Sequence, residues 1–157
     1  MSEAPKSRTT KSDESAPERL SADERAAIKE RAAELKAAGK RGRGSKKADG
    51  GSDLLAKIAE LGEPDRGLAE QLHALVTAAA PNLTPTTWYG MPAWARDGKV
   101  MCFFQPAAKF KTRYATFGFN ENAKLDDGAL WPTAYAVTEL GDAEAAALSA
   151  IVKKAAG

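Results

Sequence analysis

The chain has 157 residues, 43% of them hydrophobic and 28% charged, which fits one domain of ordinary size with extensions. Its formal net charge of +2 is too small to require a nucleic-acid partner, and its single cysteine and single histidine exclude an internal disulfide and a structural zinc site. No apolar run approaches the roughly 18 residues that cross a bilayer or resembles a secretory signal, so we expect a soluble, cytoplasmic protein without a membrane partner.

The N-terminal part of the chain predicts a disordered tail followed by a helix. The first 20 residues are mostly Ser, Thr, Pro and charged residues with little to bury, which is typical of disorder. A helix is predicted over residues 21–39 and starts with a capping box, in which Ser21 and Glu24 bond each other's backbone. Only Ile28 and Leu35 are large on its apolar stripe, so we expect a solvated helix that docks loosely or not at all.

A basic segment broken by glycines, residues 40–51, predicts a flexible linker. Its cations are Lys40, Arg41, Arg43, Lys46 and Lys47. These side chains are either solvated or form an arm that contacts phosphates, in which case each contact makes binding more salt-dependent. Beyond the linker we expect one domain over residues 52–157.

Two helices open this domain and one closes it. The first is predicted from Ser52 to residue 62 and the second between the prolines at 64 and 81. The hydrophobic period then falls toward 2 and predicts strands over residues 86–89, 93–96, 100–105, 114–119 and 133–137. Asp97-Gly98 predicts a tight hairpin turn, and Asp142 is expected to cap the last helix. This order indicates an α+β fold with a mostly antiparallel sheet of about five strands.

The aromatic residues all lie between positions 88 and 135, so the core is expected in the second half of the chain. They begin around the step Gly90-Met91-Pro92, where glycine permits unusual backbone angles and proline fixes its own. The step either redirects the chain between two strands, with Met91 filling the gap, or opens a pocket walled by Trp88, Met91 and Trp94. In the second case the ligand-binding residues are Trp88, Tyr89, Gly90, Met91, Pro92 and Trp94.

The predicted strand 100–105 is apolar on both of its faces. Strict alternation places Val100, Cys102 and Phe104 on one face and Met101 and Phe103 on the other. One face is expected under helices, and the other against a further layer, a second copy of the chain in a homodimer, or a ligand. Cys102 is expected to be an inert core thiol, because nothing adjacent would stabilise its thiolate.

The sequence patterns of common enzymes are missing. No phosphate-binding glycine loop follows a predicted strand. His73 flanks an apolar helical stripe, where it cannot complete a Ser-His-acid arrangement, so we interpret it as a bystander. Acid–base chemistry by Glu or Asp stays open. The sequence therefore favours a binding function over an enzymatic one.

A second group of candidate residues is basic. Lys109, Lys111 and Arg113 alternate along the chain, so they share one face if the segment is extended. Together with Arg41 and Arg43, they are candidates for binding an anion or a nucleic acid beside nearby rings. Alternatively, the three cations guard a solvated strand edge against pairing.

The motifs "WYGMPAW", "DGKVMCFF" and "YATFGFN", with a preceding helix, a strand after "WPTAY" and a closing helix, resemble the YdhG-like family. These are small bacterial domains of unknown function, and the resemblance covers roughly residues 65–154. Its most specific piece is Gly90-Met91-Pro92-Ala93. The resemblance implies an α+β fold with an antiparallel sheet. One member has been proposed to act like frataxin, as an iron chaperone, so iron is the cofactor that the resemblance suggests; no catalytic residues carry over.

Carboxylates are the candidate ligands for iron, since hard cations bind clustered oxygen atoms. The candidates are Glu121, Asp126 and Asp127, with Glu139 and Asp142 as a further pair. The basic net charge argues against this analogy. We therefore predict a non-enzymatic module of the YdhG-like type that binds a small ligand or a metal near the Gly90-Met91-Pro92 step. The alternative is a nucleic-acid-associated protein that uses the basic linker and the cations of residues 109–113.

Overall fold

The structure is a computed structural model that describes residues 21–40 and 46–157. The helices are α1 Ala22–Lys40, α2 Lys46–Ala59, α3 Asp65–Ala79, α4 Ala107–Phe110 and α5 Asp142–Ala156. The strands are β1 Thr84–Trp88, β2 Met91–Arg96, β3 Lys99–Gln105, β4 Ala115–Phe119 and β5 Ala134–Val137. Within these residues the predicted α+β class with a five-stranded antiparallel sheet is confirmed. The predicted tail, residues 1–20, lies outside the described part of the chain.

The sheet is a meander, in which each strand pairs antiparallel with the next one along the chain. Tyr89-Gly90 joins β1 to β2 and Asp97-Gly98 joins β2 to β3, and all four residues have positive φ. Two consecutive positive φ angles are typical of the type I′ turn, whose twist matches that of paired strands. The predicted Asp97-Gly98 hairpin is confirmed. The first turn comes earlier than the predicted break, because Met91 and Pro92 already belong to β2.

One face of the sheet packs against α3 and α5 and forms the core. Its largest fully buried side chains on the strands are Trp94, Phe104 and Phe117, and Leu72 of α3 and Val152 of α5 belong to the same cluster. The Arg96 guanidinium donates a hydrogen bond to the carbonyl oxygen of Ala156, which fastens the end of α5 to β2. Helices therefore cover one face of β3, as the apolar pattern predicts.

The alternation predicted for β3 is interrupted by a bulge. Trp94 pairs with Cys102, whereas the next residue, Ala95, pairs with Val100, which leaves Met101 without a direct partner on β2. Val100 consequently lies on the face opposite to Cys102, not on the same face as predicted. Cys102 is fully buried, and burial raises the pKa of its thiol, so it is an inert core residue.

α2 begins at Lys46 rather than at the predicted Ser52, so residues 46–51 of the predicted flexible linker are helical. The glycines at 50 and 51, which suggested flexibility, lie inside this helix. At Gly50 the reason is steric, because a Cβ there would overlap the carbonyl oxygen of Pro85 in β1. α2 thus lies along the β1 edge of the sheet, and its Leu54 reaches the core.

Two predicted helix starts have different outcomes. The capping box of α1 is confirmed: the Ser21 N–H donates to Glu24 Oε2 at 2.9 Å, and the Glu24 N–H donates to Ser21 Oγ at 3.2 Å. The predicted cap of α5 is wrong, because Asp142 is the first residue of the helix and Gly141 is the N-cap. None of the described helices is long and apolar enough to cross a membrane.

Candidate functional site

α1 docks on the turn between β1 and β2 through charged side chains. The Glu34 carboxylate accepts a hydrogen bond from the N–H of Tyr89 at 3.1 Å and another from the N–H of Gly90 at 3.0 Å. Arg31 pairs with Glu34 at 3.5 Å and lies over the Tyr89 ring, 5.7 Å from its centroid. Because hydrogen bonds to an ionised acceptor are about twice as strong as neutral ones, Glu34 holds both amides of a turn in which Tyr89 has a positive φ.

A second ionic contact closes the other side of the same turn. The Lys109 ammonium lies 2.8 Å from Glu30 Oε2 and donates to the carbonyl oxygen of Gly90 at 3.1 Å. A Cβ at Gly90 would overlap both Glu30 Oε2 and Lys109 Nζ, and Gly90 has a φ of 74°, which residues with a side chain rarely adopt, so this position favours glycine. We call Glu30, Arg31, Glu34 and Lys109 the turn clamp. The predicted solvated helix is therefore docked, although Ile28 and Leu35 are half exposed, as its poor apolar stripe predicts.

The Gly90-Met91-Pro92 step is covered by the chain itself. Gly90 lies under the turn clamp, Met91 is 6% exposed, and Pro92 is fully buried. The step is therefore packed, as the first of its two interpretations predicts, although only Gly90 belongs to the turn that redirects the chain. Gly90 also lines a cavity of about 450 Å³ beside Glu30 and Lys109, but none of the predicted rings lies in the wall of that cavity.

The two tryptophans of the predicted site lie on opposite faces of the sheet. Trp88 pairs with Met91, and Trp94 pairs with Pro85 on β1 and Cys102 on β3, so the two rings point to opposite sides. Trp94 is 1% exposed in the core. Trp88 is half-buried beside Tyr89 and Phe103, with ring centroids 5.0 and 5.2 Å away. The predicted pocket walled by Trp88, Met91 and Trp94 together is therefore not formed.

Trp88 instead lines a cavity of about 520 Å³ on the face opposite the core. α1, α2, β1 and the β2–β3 hairpin enclose this space, which we call the Trp88 cavity. Thr86 and Val100 are also in its wall, and its charged lining residues are Arg31, Glu34, Asp53 and Lys99. An aromatic wall with a few converging polar groups is the usual composition of a small-molecule site.

The charges of this cavity are not equally available to a ligand. Both oxygens of Glu34 already accept backbone hydrogen bonds, whereas the exposed Lys99 ammonium has no acidic partner among the described residues. The Trp88 cavity therefore offers a ring and a cation. Glu34 and Arg31 were not among the predicted site residues. The sequence feature that could have identified them is the predicted N-terminal helix itself. Its apolar face is mostly alanine, and its charged residues recur three and four positions apart, so they share a helix face that can contact the domain.

The basic stripe predicted over residues 109–113 is wrong. The segment is not extended: Lys109 lies in the short helix α4, and Lys111 caps the end of this helix with a left-handed φ of 53°. The three side chains therefore do not alternate along a strand. Lys109 belongs to the turn clamp, Lys111 lies 3.4 Å from Asp23 of α1, and the Arg113 guanidinium lies 5.1 Å from the Tyr114 ring centroid. Arg41 and Arg43, the other cations of the predicted nucleic-acid site, fall outside the described residues.

The predicted carboxylate site for iron is not supported by the geometry. Glu121 and Asp126 line a cavity of about 460 Å³ together with Trp131, but Asp127 does not. Over residues 21–40 and 46–157, no group of three or more His, Cys, Asp or Glu residues is placed to hold a metal ion. These residues therefore do not fit an iron site, and the same holds for Glu139 and Asp142.

His73 contacts the core through Trp94. The indole Nε1–H donates to His73 Nδ1 at 3.4 Å, and the two rings stack with centroids 6.3 Å apart. Burial lowers the pKa of His73 from 6.5, which favours the neutral ring that can accept this bond. His73 thus has a structural role, in agreement with its interpretation as a bystander to any site.

We expect the stability of the protein to fall below about pH 6.5 because of His73. Since the pKa of His73 is lower in the folded chain than in the unfolded one, the unfolded state binds more protons as the pH drops through this range. Urea unfolding between pH 7.5 and 5 should show a smaller decrease for His73→Gln than for the wild type. An NMR titration gives a second readout, because the Trp94 indole N–H resonance should follow the protonation of His73. Equal pH dependence of the two proteins would contradict this assignment.

Comparisons with known proteins give no match: no protein-family model, no curated protein and no solved structure is significantly similar to this chain.

Proposed function

We propose that this chain is a non-enzymatic binding module of the YdhG-like type, whose ligand is a small organic anion with a planar ring. The ligand lies in the Trp88 cavity, with its ring against Trp88 and its anionic group near Lys99. The observation that carries the proposal is that Trp88 is half-buried in the cavity wall, whereas Trp94 is packed in the core. A partly uncovered indole gains stacking and burial energy from a bound ring.

The enclosure of the cavity supports a binding role. α1 is held over it by the turn clamp, and Glu34 contributes both to that clamp and to the cavity lining. The same helix therefore fixes the β1–β2 turn and forms a wall of the proposed site. Pre-formed walls favour affinity, because little side-chain entropy is lost when the ligand binds. No metal enters this proposal, since the described carboxylates do not fit a metal site.

The test is an NMR titration of the full chain with 2-naphthoate. We expect the Trp88 indole N–H resonance to move and that of Trp94, on the opposite face, to stay in place. Trp88→Ala should weaken binding at least about tenfold, because it removes the stacking surface. Trp131→Ala is the matched control, since Trp131 is also half-buried but lines a different cavity.

Two further comparisons test the charge and the ring separately. Lys99→Gln should weaken 2-naphthoate binding about two- to fivefold at low salt, as expected for an exposed charge pair, whereas Lys124→Gln should not. Two other compounds should bind more weakly than 2-naphthoate: the naphthylmethylammonium cation, which has the opposite charge, and cyclohexanecarboxylate, whose ring is neither planar nor aromatic. If 2-naphthoate leaves the Trp88 resonance unchanged at millimolar concentration, or if the cation binds equally well, the proposal is wrong.

A further inference from the structure

The two edge strands of the sheet, β1 and β5, differ in how they are covered. At one edge α2 lies along β1, with Gly50 packed against the Pro85 carbonyl group. At the other edge is β5, whose four residues include no charged residue and no proline. Over the described residues no further strand pairs with β5 on its outer side, and its Ala134 and Ala136 are exposed. Native proteins usually guard such an edge with charges, proline or a covering element, and β5 has only its shortness.

The register shows which backbone groups of β5 face outward. The Phe119 N–H donates to the carbonyl oxygen of Thr133 at 2.8 Å, which sets the phase of the ladder between β4 and β5. Bonded residues alternate along an antiparallel pair, so Tyr135 and Val137 direct their backbone groups at β4. The N–H and C=O groups of Ala134, Ala136 and Thr138 point outward. The edge therefore offers a set of main-chain donors and acceptors to an added strand.

An apolar groove of about 250 Å³ runs beside this edge, between β5 and α5. Its apolar lining includes Tyr135, Val137, Leu140, Leu148 and Ile151. Through Glu139 and Leu140, which line both spaces, it adjoins a cavity of about 640 Å³ between the segment after β5 and α3. A strand added to β5 would place alternate side chains toward this groove, since successive side chains of a strand point to opposite faces.

The charge around the groove is of one sign. The charged residues that line the two spaces are Glu70, Glu139 and Glu144, and no Lys or Arg lines either of them. The protein as a whole carries a net charge of +2, so this acidic border differs from the rest of the chain. An acidic rim favours a basic partner and disfavours an acidic one.

We propose that the β5 edge and this groove bind an extended, basic peptide segment of a partner protein. The segment adds to the sheet as a sixth strand, and its main chain pairs with Ala134, Ala136 and Thr138. Its alternate side chains face the groove between β5 and α5: the apolar ones enter the groove, and Lys or Arg side chains at the other groove-facing positions meet the three glutamates. This is recognition by strand addition, in which the main chain supplies affinity and the groove supplies specificity. The proposal is independent of the Trp88 cavity, which lies beside β1 at the opposite edge.

The experiment uses the full chain and a capped nine-residue peptide. Its groove-facing positions are three central valines with a lysine at each end, and threonine occupies the positions that face the other way. In NMR spectra, this peptide should shift the amide resonances of Ala136 and Thr138 and slow their hydrogen exchange. A peptide with N-methyl groups on the amides that face β5 should bind at least about tenfold more weakly, because it cannot form the ladder. An acidic peptide, with glutamate in place of lysine, should also bind more weakly.

Variants of the protein test the same surface from the other side. Ala136→Pro removes an outward N–H without removing a bond to β4, and it should reduce peptide binding to a similar extent. If this variant does not fold, the double variant Glu139→Gln, Glu144→Gln replaces it and should weaken binding about threefold to tenfold at low salt. Its matched control is the double variant Glu60→Gln, Glu121→Gln, which changes charge outside the groove.

Several outcomes would overturn the proposal. Equal binding of the N-methylated peptide would exclude strand addition, and equal binding of the acidic peptide would exclude the charge assignment. Unchanged resonances of Ala136 and Thr138 would exclude the site. If the same two amides become protected in the absence of peptide as the protein concentration rises, and light scattering shows a dimer, then the occupant of the edge is a second copy of the chain.

Discussion

Alanine at Gly50 is expected to destabilise the protein, whereas alanine at the next residue, Gly51, is expected to stabilise it. Both glycines lie inside α2, where alanine has the higher helix propensity by about 1 kcal/mol. At Gly51 no atom lies within 4 Å of the position of an added Cβ, so the substitution should raise the free energy of unfolding by about 0.4–1 kcal/mol.

At Gly50 the added Cβ would overlap the backbone carbonyl of Pro85. A backbone atom in a paired strand cannot rotate away as a side chain can, so α2 has to move from β1. Such overpacking costs about 1–3 kcal/mol and exceeds the gain in propensity. Urea unfolding of the two variants measures both changes in the free energy of unfolding, provided that the dependence of this free energy on urea concentration (the m-value) is the same as in the wild type. Changes of the same sign in the two variants would show that α2 does not pack on β1 at Gly50.

Removal of the Glu34 carboxylate is expected to release α1 from the β1–β2 turn. In Glu34→Ala, the N–H groups of Tyr89 and Gly90 lose their acceptor, and the free energy of unfolding should fall by about 1–3 kcal/mol. α1 should also lose stability, because a helix with few large apolar residues is only marginally stable when it is not docked. Hydrogen exchange should therefore accelerate at the two turn amides and along α1 as well.

Two other variants show whether the effect of Glu34→Ala comes from the charged acceptor at this position or from the loss of a surface carboxylate in general. Glu34→Gln keeps one oxygen acceptor but loses the charge, so it should have an intermediate effect. Glu60→Ala is the matched control, because Glu60 is exposed and its ionic partner in the described part of the chain is Lys57, one turn away. This variant should change the free energy of unfolding by no more than about 0.5 kcal/mol. If the amides of Tyr89 and Gly90 keep their protection in Glu34→Ala, the carboxylate does not hold the turn.

Much of the fold was predictable because periodicity and turn chemistry act locally. The capping box at Ser21 and the hairpin at Asp97-Gly98 each depend on a few neighbouring residues, and both are present in the structure. The start of α2 was not predictable in this way. Gly50 is typical of a linker when only its neighbours are considered, and its place in a helix depends on the distant Pro85.

The geometry of the site depended on a single detail of one turn. The sequence pattern predicts a break between two strands at residues 90–92. It therefore does not determine which side chains of the first strand share a face of the sheet with which side chains of the second. The structure has a two-residue turn at Tyr89-Gly90, so Trp88 pairs with Met91 and Trp94 falls on the opposite face. A shift of one residue in a strand exchanges its faces. For that reason the rings near the step were identified, but the space that they enclose was not.

The charged residues were the hardest part to predict. Lys109, Lys111 and Arg113 share a face only in an extended chain, and the helical turn after Pro106 removes that condition. Lys109 instead meets Glu30, which is 79 positions away in sequence. Contacts over such separations depend on how whole elements pack, and neither residue type nor spacing encodes them.

The polar attachment of α1 has a consequence for how this helix can move. Its two large apolar residues, Ile28 and Leu35, are already 50% and 56% exposed. If the helix left the domain, these two side chains would therefore expose little additional apolar surface to water. Water and dissolved ions can replace the carboxylate and ammonium contacts that hold it, and screening makes that exchange easier as ionic strength rises. Movement of α1 away from the sheet would thus open the Trp88 cavity to solvent, while the aromatic residues on the core face stay buried. A ligand could then enter the cavity without unfolding of the core.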